Sequence, residues 1–357
     1  MTHLVKIPAM LDPHVHLRGM EWAHKATFKS ETAAAIAGGY WAVFDMPNTP
    51  PTTINRAALD RKLTEMNLHS VCDFGVYFGA SQTENWQEYL AIHEDVCGLK
   101  MFCNDTTGDL LIEDQSQRRK HVHAWDNGKV LAVHAEGITV LEILELVRED
   151  HGATHFLHIS TAEEIAYLTA AKEEGLPVTF GVCPHHLWLT EDDISTLGAK
   201  GLMKPELKTK ADRDALWSAL QSGIVDIIES DHAPHTLAEK SSEKPPYGVP
   251  GLETTLPLLC TAVHEGRLTI EQVIDLVSTN PRKIFGLDAP DETYTIVDLD
   301  ASYVIEDANL HTLCGWSPFS GMRVHGKIIE NWIRGTQAYD GENILVDEGF
   351  GQNLYGE

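Results

Sequence analysis

The chain predicts an α/β protein built as a (β/α)8 barrel, and three observations carry that prediction. Eight short apolar runs alternate with amphipathic stretches, the series extends from residue 7 to residue 235, and no G-x-G-x-x-G turn follows the first run. Alternating strand and helix patterns mark βα units on a parallel sheet. A barrel of eight such units takes about 250 residues, whereas the rival open doubly wound sheet is usually announced by that glycine-rich turn.

The first run is IPAMLDPHVH (7–16), followed by the Ala-rich stretch SETAAAIAGG. WAVFDM (41–46) is the second, and NRAALDRKLTEMN after it carries apolar residues at helical spacing. DFGVYFGA (73–80) and VCGLKMF (96–102) are the third and fourth. VLAVHAE (130–136) leads into TVLEILELVRED, and THFLHIS (154–160) into AEEIAYLTAAKEEG, both with the i, i+3, i+4, i+7 pattern. PVTFGVCPHH (177–186) and VDIIESDHAPH (225–235) complete the eight. The polar, Pro- and Gly-rich stretch 236–251 reads as a loop long enough to be functional. Two helical patterns follow, LETTLPLLCTAVHEG and TIEQVIDLVSTNPRKIFG, the second ended by Gly286. From Tyr294 the texture turns to β-like pieces, YTIVDLD, ASYVIE, MRVHGKIIENWIRG and AYDGENILV. The expected organisation is a barrel over 1–290 and a small β-rich extension over 291–357 packed on it.

With 43% hydrophobic and 22% charged residues, the 357-residue chain has the composition of a folded globular protein. A net charge of −26 argues against sequence-independent binding to nucleic acid or to an anionic membrane, both of which need clustered Lys and Arg. No run of about 18 apolar residues occurs, and MTHLVKIPAM lacks the apolar core of a signal peptide, so a cytoplasmic location is expected. Six cysteines without a C-x-x-C pair fit reduced thiols.

Active sites of such barrels lie at the C-terminal ends of the strands. His14 and His16 end the first run, Lys100 lies near the end of the fourth, His134 of the fifth, His158 of the sixth, and Asp231 of the eighth. Four imidazoles and a carboxylate suit a borderline divalent cation such as zinc, and they exceed what one ion needs. A lysine among apolar neighbours, as in GLKMF, has its pKa depressed by burial. As a neutral amine it can add carbon dioxide, and the resulting carbamate offers one oxygen to each of two ions.

HVHLR, MPNTPP, GLKMF, VHAE, HIS and SDHAPHT, in this order and at these separations, resemble the cyclic amidohydrolases. Within them the chain is most similar to the dihydroorotases, in particular to the dihydroorotase domain of the animal multifunctional pyrimidine-synthesis protein. AAAIAGG, PVTFGVCPHHLWL, NPRKIFGL and GWSPFSGMRVHGK extend the likeness over about residues 4 to 355. The resemblance implies a metal-dependent amidohydrolase barrel with two zinc ions bridged by carbamylated Lys100 and a hydroxide. His14, His16, Lys100 and Asp231 would hold one ion, and Lys100, His134 and His158 the other. Asp231 would also be the general acid-base group, in the interconversion of N-carbamoyl-L-aspartate and L-dihydroorotate. Arg18, Asn48 and His235 fall at carboxylate-binding positions, and Thr106 in NDTTGDL on a loop over the substrate. A homodimer and an aspartate transcarbamoylase partner are further implications.

Two departures bear on substrate contact: Lys204 stands in KPEL where the animal domain has arginine, and Thr107 follows Thr106 where it has phenylalanine. Two other readings stay open. A hydantoinase or allantoinase would share the metal ligands without needing Arg18, Asn48 and His235. A catalytically silent scaffold for aspartate transcarbamoylase would be expected to have lost ligands. His185 and His186, at the end of the seventh run, read equally as pocket residues or as structural hydrogen-bonding groups.

Overall fold

The computed structural model describes residues 3–125 and 128–356. Its centre is an eight-stranded parallel sheet in which each strand pairs with the next in sequence. The strands are β2 (Met10–Val15), β3 (Tyr40–Asp45), β4 (Asp73–Gly79), β5 (Gly98–Phe102), β6 (Val130–His134), β7 (Thr154–Phe156), β8 (Val178–Val182) and β9 (Ile227–Ile228), after a first strand β1 (Leu4–Pro8) that lies elsewhere. A parallel bridge between Val15 and His232, with the His16 N–H donating to the His232 carbonyl at 2.7 Å, joins the last strand region to the first and rounds the sheet into a barrel. Strands buried on both faces read as unbroken apolar runs, and β2 to β7 are buried at every residue.

The helices that cover the barrel start where the sequence supplies caps. Thr27 and Thr161 each form a capping box, with Ser30 and Glu164, at the starts of Phe28–Ala37 and Ala162–Glu173. Asn55 and Thr209 cap Arg56–His69 and Lys210–Ser222 through their side chains. Most buried apolar residues form one large core, in which the rings of Tyr77, Phe285 and Tyr355 meet that of Phe44 edge to face, and a smaller separate cluster gathers around Trp316 and Phe319.

Four elements differ from expectation. The expected first strand, 7–16, is divided: Ile7 and Pro8 belong to β1, and the barrel strand begins only at Met10. The expected eighth strand, 225–235, is a ladder of two residues, because beyond Ile228 the chain turns inward to present Glu229 and Asp231. YTIVDLD and ASYVIE, two pieces in the sequence pattern, are a single strand, β10 (Tyr294–Val304), with a register irregularity between Asp298 and Ser302. The helical pattern of 269–286 contains a π turn over Asp275–Thr279. It precedes Pro281, which has no N–H for a regular helical bond.

β10 pairs with β11 (Arg323–Ile333), which pairs with β12 (Thr336–Tyr339), and β1 completes this antiparallel sheet on the other edge of β10. In space, therefore, Leu4–Pro8 lies with the segment after residue 291, by pairing with Tyr294–Asp298. The chain then returns to the barrel: the Phe74 N–H donates to the Gln352 carbonyl at 2.9 Å, and Leu354 N–H to the Phe74 carbonyl at 2.9 Å.

Candidate active site

The C-terminal strand ends surround a pocket. Its wall includes His14, His16, Arg18, Asn48, Thr106, His134, His158, Lys204 and Asp231, together with Phe102, Thr107, Ala233, Tyr247 and Gly248. Of the residues singled out in the sequence, Lys100 lies buried beside this wall and His235 stands one layer behind it, against Arg18.

His14 on β2 and His16, one residue past its end, both turn toward Asp231, which stands opposite them. Its Oδ1 is 3.2 Å from His14 Nε2 and 3.3 Å from His16 Nε2. These three residues offer ligand atoms within 4.8 Å of one another, a grouping that suits a metal ion. The His158 ring follows at 5.2 Å from His14, and His134 at 4.4 Å from His158. Burial pulls all four imidazoles below their usual range, most strongly His16 and His158. They are thus neutral, the form that binds metals. His16 Nδ1 meets Asn48 Oδ1 at 2.8 Å, so Nδ1 carries the hydrogen and the Nε2 lone pair faces Asp231. His158 Nδ1 is buried without a hydrogen-bond partner.

Lys100 is fully buried on β5, with its Nζ unpartnered and 4.4 Å from the centre of the Phe102 ring. Burial lowers its pKa to about 7, against the opposing pull of Cys103, Asp231 and Glu229. An orphaned buried amine next to converging imidazoles fits a lysine completed by a carboxyl group and metal ions. Burial likewise raises Asp231, with His14 pulling the other way and Glu229 pushing further.

Sequence reading missed Glu229. Burial alone would raise its pKa, yet the imidazoles of His14 and His155, 3.4 and 3.7 Å from Oε2, hold it below the usual carboxylate range. Its Oε1 accepts from the backbone N–H of His158. This carboxylate fits because residue 181 is glycine; a Cβ there would come within 2.6 Å of Glu229 Oε1. Asp45 was missed as well. Its Oδ1 accepts from the Leu17 N–H at 2.7 Å, and its Oδ2 pairs with the fully buried Lys62 at 2.6 Å.

The backbone is unusual at three of the site residues: Arg18, His158 and Asp231 have φ of 61°, 42° and 45°. Such left-handed conformations in bulky residues cluster at functional sites. Arg18 is followed by Gly19 and Met20, also at positive φ, and a Cβ on Gly19 would strike the Phe28 ring at 2.8 Å.

Arg18 is buried, with Nε donating to the Pro234 carbonyl at 3.1 Å, Nη2 3.1 Å from His235 Nε2, and Nη1 without a partner. Lys25 Nζ approaches the other ring nitrogen of His235 at 3.3 Å and Glu239 at 3.1 Å. Burial and the neighbouring Arg18 and Lys25 charges keep His235 neutral. A neutral imidazole offers one lone pair, so Arg18 and Lys25 cannot both donate to it. This corner holds more donors than acceptors, and an anionic oxygen would balance it.

Over the cavity, Asn48 Nδ2 donates to the Thr107 carbonyl at 2.9 Å, and Thr107 Oγ1 to that of Tyr247 at 3.4 Å. One Asn48 side chain thereby orients His16 and anchors the 104–109 loop, with a second amide hydrogen remaining. Lys204 Nζ pairs with Glu206 at 2.9 Å, 5.0 Å from the Tyr247 ring centre.

Comparison with known proteins follows the same lines. The model of the amidohydrolase family matches residues 5–290. The multifunctional protein CAD of Squalus acanthias is 41% identical over 354 residues, which are 98% of this chain; the chain spans 16% of that protein. A dihydroorotase of Halobacterium salinarum is 34% identical over 382 residues, covering 96% of this chain and 88% of its own. Among solved structures, an L-hydantoinase from Arthrobacter aurescens superimposes with a TM-score of 0.93 over 99% of this chain and 89% of its own, at 24% identity.

Proposed function

Because the chain belongs to the amidohydrolase family, in its dihydroorotase group, we propose that it catalyses the reversible interconversion of N-carbamoyl-L-aspartate and L-dihydroorotate. The observation that carries this reading is the donor-rich corner of Arg18, Lys25 and His235 beside the His14–His16–Asp231 cluster. It suits the substrate carboxylate, which hydantoin and allantoin lack.

In the ring-opening direction, Arg18 Nη1 takes the carboxylate as a charge-assisted donor, His235 braces the guanidinium, and the second amide hydrogen of Asn48 adds a neutral donor. Thr106 covers the ring, and Lys204 stands at the mouth. Two zinc ions, held by His14, His16 and Asp231 and by His134 and His158 with carbamylated Lys100 between them, would supply a polarised amide carbonyl and a water acidic enough to attack at neutral pH. The Lys100 amine reaches the carbamate by adding to carbon dioxide and losing one proton to solvent. Asp231 takes the proton of the attacking water and delivers it to the ring nitrogen as the C–N bond breaks. Glu229 keeps His14 in place, and Asn48 fixes the His16 tautomer, the outer support that metal-ligating histidines require. In the cyclisation direction each step runs backwards, and Asp231 removes the proton from the carbamoyl nitrogen.

We assign the activity to pyrimidine synthesis in the cytoplasm, with a homodimer and an aspartate transcarbamoylase partner as its assembly. Among the described residues no helix is long and apolar enough to cross a membrane.

The test is turnover of dihydroorotate, hydantoin and allantoin by protein supplied with zinc and bicarbonate, with metal analysis of Lys100→Ala alongside. Turnover of dihydroorotate alone is expected, together with loss of bound metal in the variant. Turnover restricted to hydantoin or allantoin, or none at all, would overturn the reading. Two retained metals with full activity in Lys100→Ala would remove the carbamate.

A further inference from the structure

A second group of ligand-type side chains stands at the end of β8, outside the cavity wall. Cys183, His185 and His186 offer three ligand atoms that lie within 4.8 Å of one another, and all three residues are buried. Four consecutive residues bring them together because the chain changes conformation there: Val182 ends the strand, Cys183 is still extended, and Pro184 opens the short helix Pro184–Trp188. The two imidazole centres are 4.4 Å apart with their planes at 63°, so the rings converge without stacking.

One hydrogen bond fixes the tautomer of His186. His186 Nε2 lies 3.0 Å from the Pro205 carbonyl, and only an N–H can bond to a carbonyl oxygen. The Nε2 hydrogen is therefore fixed and the lone pair is on Nδ1, which is buried without any partner. His185 Nε2 is buried without a partner as well. Buried polar atoms in folded proteins are nearly always satisfied. A single ion bound beside the thiol would satisfy both orphaned nitrogens, in residues at most 2% exposed. A histidine whose second nitrogen donates to a backbone carbonyl is the usual arrangement of a metal ligand.

We propose that Cys183, His185 and His186 form a separate metal site that takes a borderline-soft divalent cation, zinc first. The donor set of one sulfur and two imidazole nitrogens selects zinc over calcium or magnesium, which want oxygen. Binding breaks the Cys183 S–H bond, forms the metal–sulfur bond and releases the proton to solvent. The ion ties the end of β8 to its helix and, through His186, to the Pro205 segment, and it takes no part in the dihydroorotase proposal.

Cobalt is the probe. Protein stripped with a chelator and saturated with cobalt(II) should show a thiolate-to-cobalt charge-transfer band in the near ultraviolet, and Cys183→Ser should abolish that band while keeping the visible cobalt bands of the other ligands. In zinc-loaded protein, metal content should fall by one equivalent in Cys183→Ser and in His186→Ala. X-ray absorption of the wild-type zinc protein should show a sulfur neighbour at about 2.3 Å, a reading that needs no variant to fold. Absence of the band and of zinc–sulfur scattering in wild-type protein would overturn the site, as would a band that survives Cys183→Ser.

Discussion

Replacing Lys62 by methionine isolates the ion pair beneath Arg18. Lys62 Nζ and Asp45 Oδ2 are 2.6 Å apart and both side chains are fully buried; Lys62 also donates to the Met46 carbonyl at 2.9 Å. Lys62→Met leaves the Asp45 carboxylate in the core with the Leu17 N–H as its one remaining hydrogen-bond donor among the described residues. Breaking one side of a buried pair costs about 3–5 kcal/mol, whereas replacing both sides together costs far less. The single variant should therefore lose about 3–5 kcal/mol in urea unfolding. Asp45→Asn/Lys62→Met should be more stable than the sum of its two single changes by at least about 1 kcal/mol. The amide oxygen introduced by Asp45→Asn can still accept from Leu17, so the double variant should keep its grip on substrate. Asp45→Ala removes that acceptor next to Arg18 and should raise the KM for N-carbamoyl-aspartate about tenfold, the equivalent of one hydrogen bond to a charged group. A Lys62→Met protein within about 1 kcal/mol of wild type, or a double variant as unstable as the sum, would refute this account of the pair.

Gly181→Ala should displace Glu229, whose Oε1 a new Cβ would approach to 2.6 Å, with a stability loss of about 1–3 kcal/mol; activity and zinc retention should fall together, and unchanged zinc content would count against the supporting role of Glu229. His311 is raised above 6.5 by its hydrogen bond to Glu253, with partial burial opposing. Its contribution to stability is therefore fully present below pH 6.5 and is lost as pH rises through the folded value. The melting-temperature gap between wild type and His311→Gln should be widest near pH 5.5 and close near pH 8.5, about one to two units on either side of an ordinary histidine pKa; a gap independent of pH would be the contrary result. Asn48→Ala should weaken metal binding as well as raise KM, because the same side chain fixes the His16 tautomer and holds Thr107; a change in KM alone would show that the His16 contact is dispensable.

The eight-fold alternation was legible because strands buried on both faces leave uninterrupted apolar runs, as WAVFDM and DFGVYFGA do. The place of β1 was not, since LVKIP finds its partner nearly three hundred residues later and nothing local distinguishes it from the strand that follows. His14, His16, His134, His158 and Asp231 could be picked out because each ends a strand-like run, where the barrel collects its chemistry. Glu229, in VDIIESDH, lacks such a signal: a lone glutamate near a strand end reads as solvated, and only the bare backbone of Gly181 beside it makes its burial intelligible. Lys25 and Lys62 lie in segments that read as surface, yet both bury their ammonium groups against carboxylates.

The left-handed backbone of Arg18, His158 and Asp231 bears on any attempt to evolve this protein toward heat resistance. Each non-glycine residue held in that region stores about 1–3 kcal/mol. Glycine would relax it at no steric cost. At His158 and Asp231 that relief would come with an emptied buried position and a lost metal ligand, so neither glycine offers a gain in heat resistance. The side chains stay where the backbone prefers none because packing and the ion they would hold outweigh the strain.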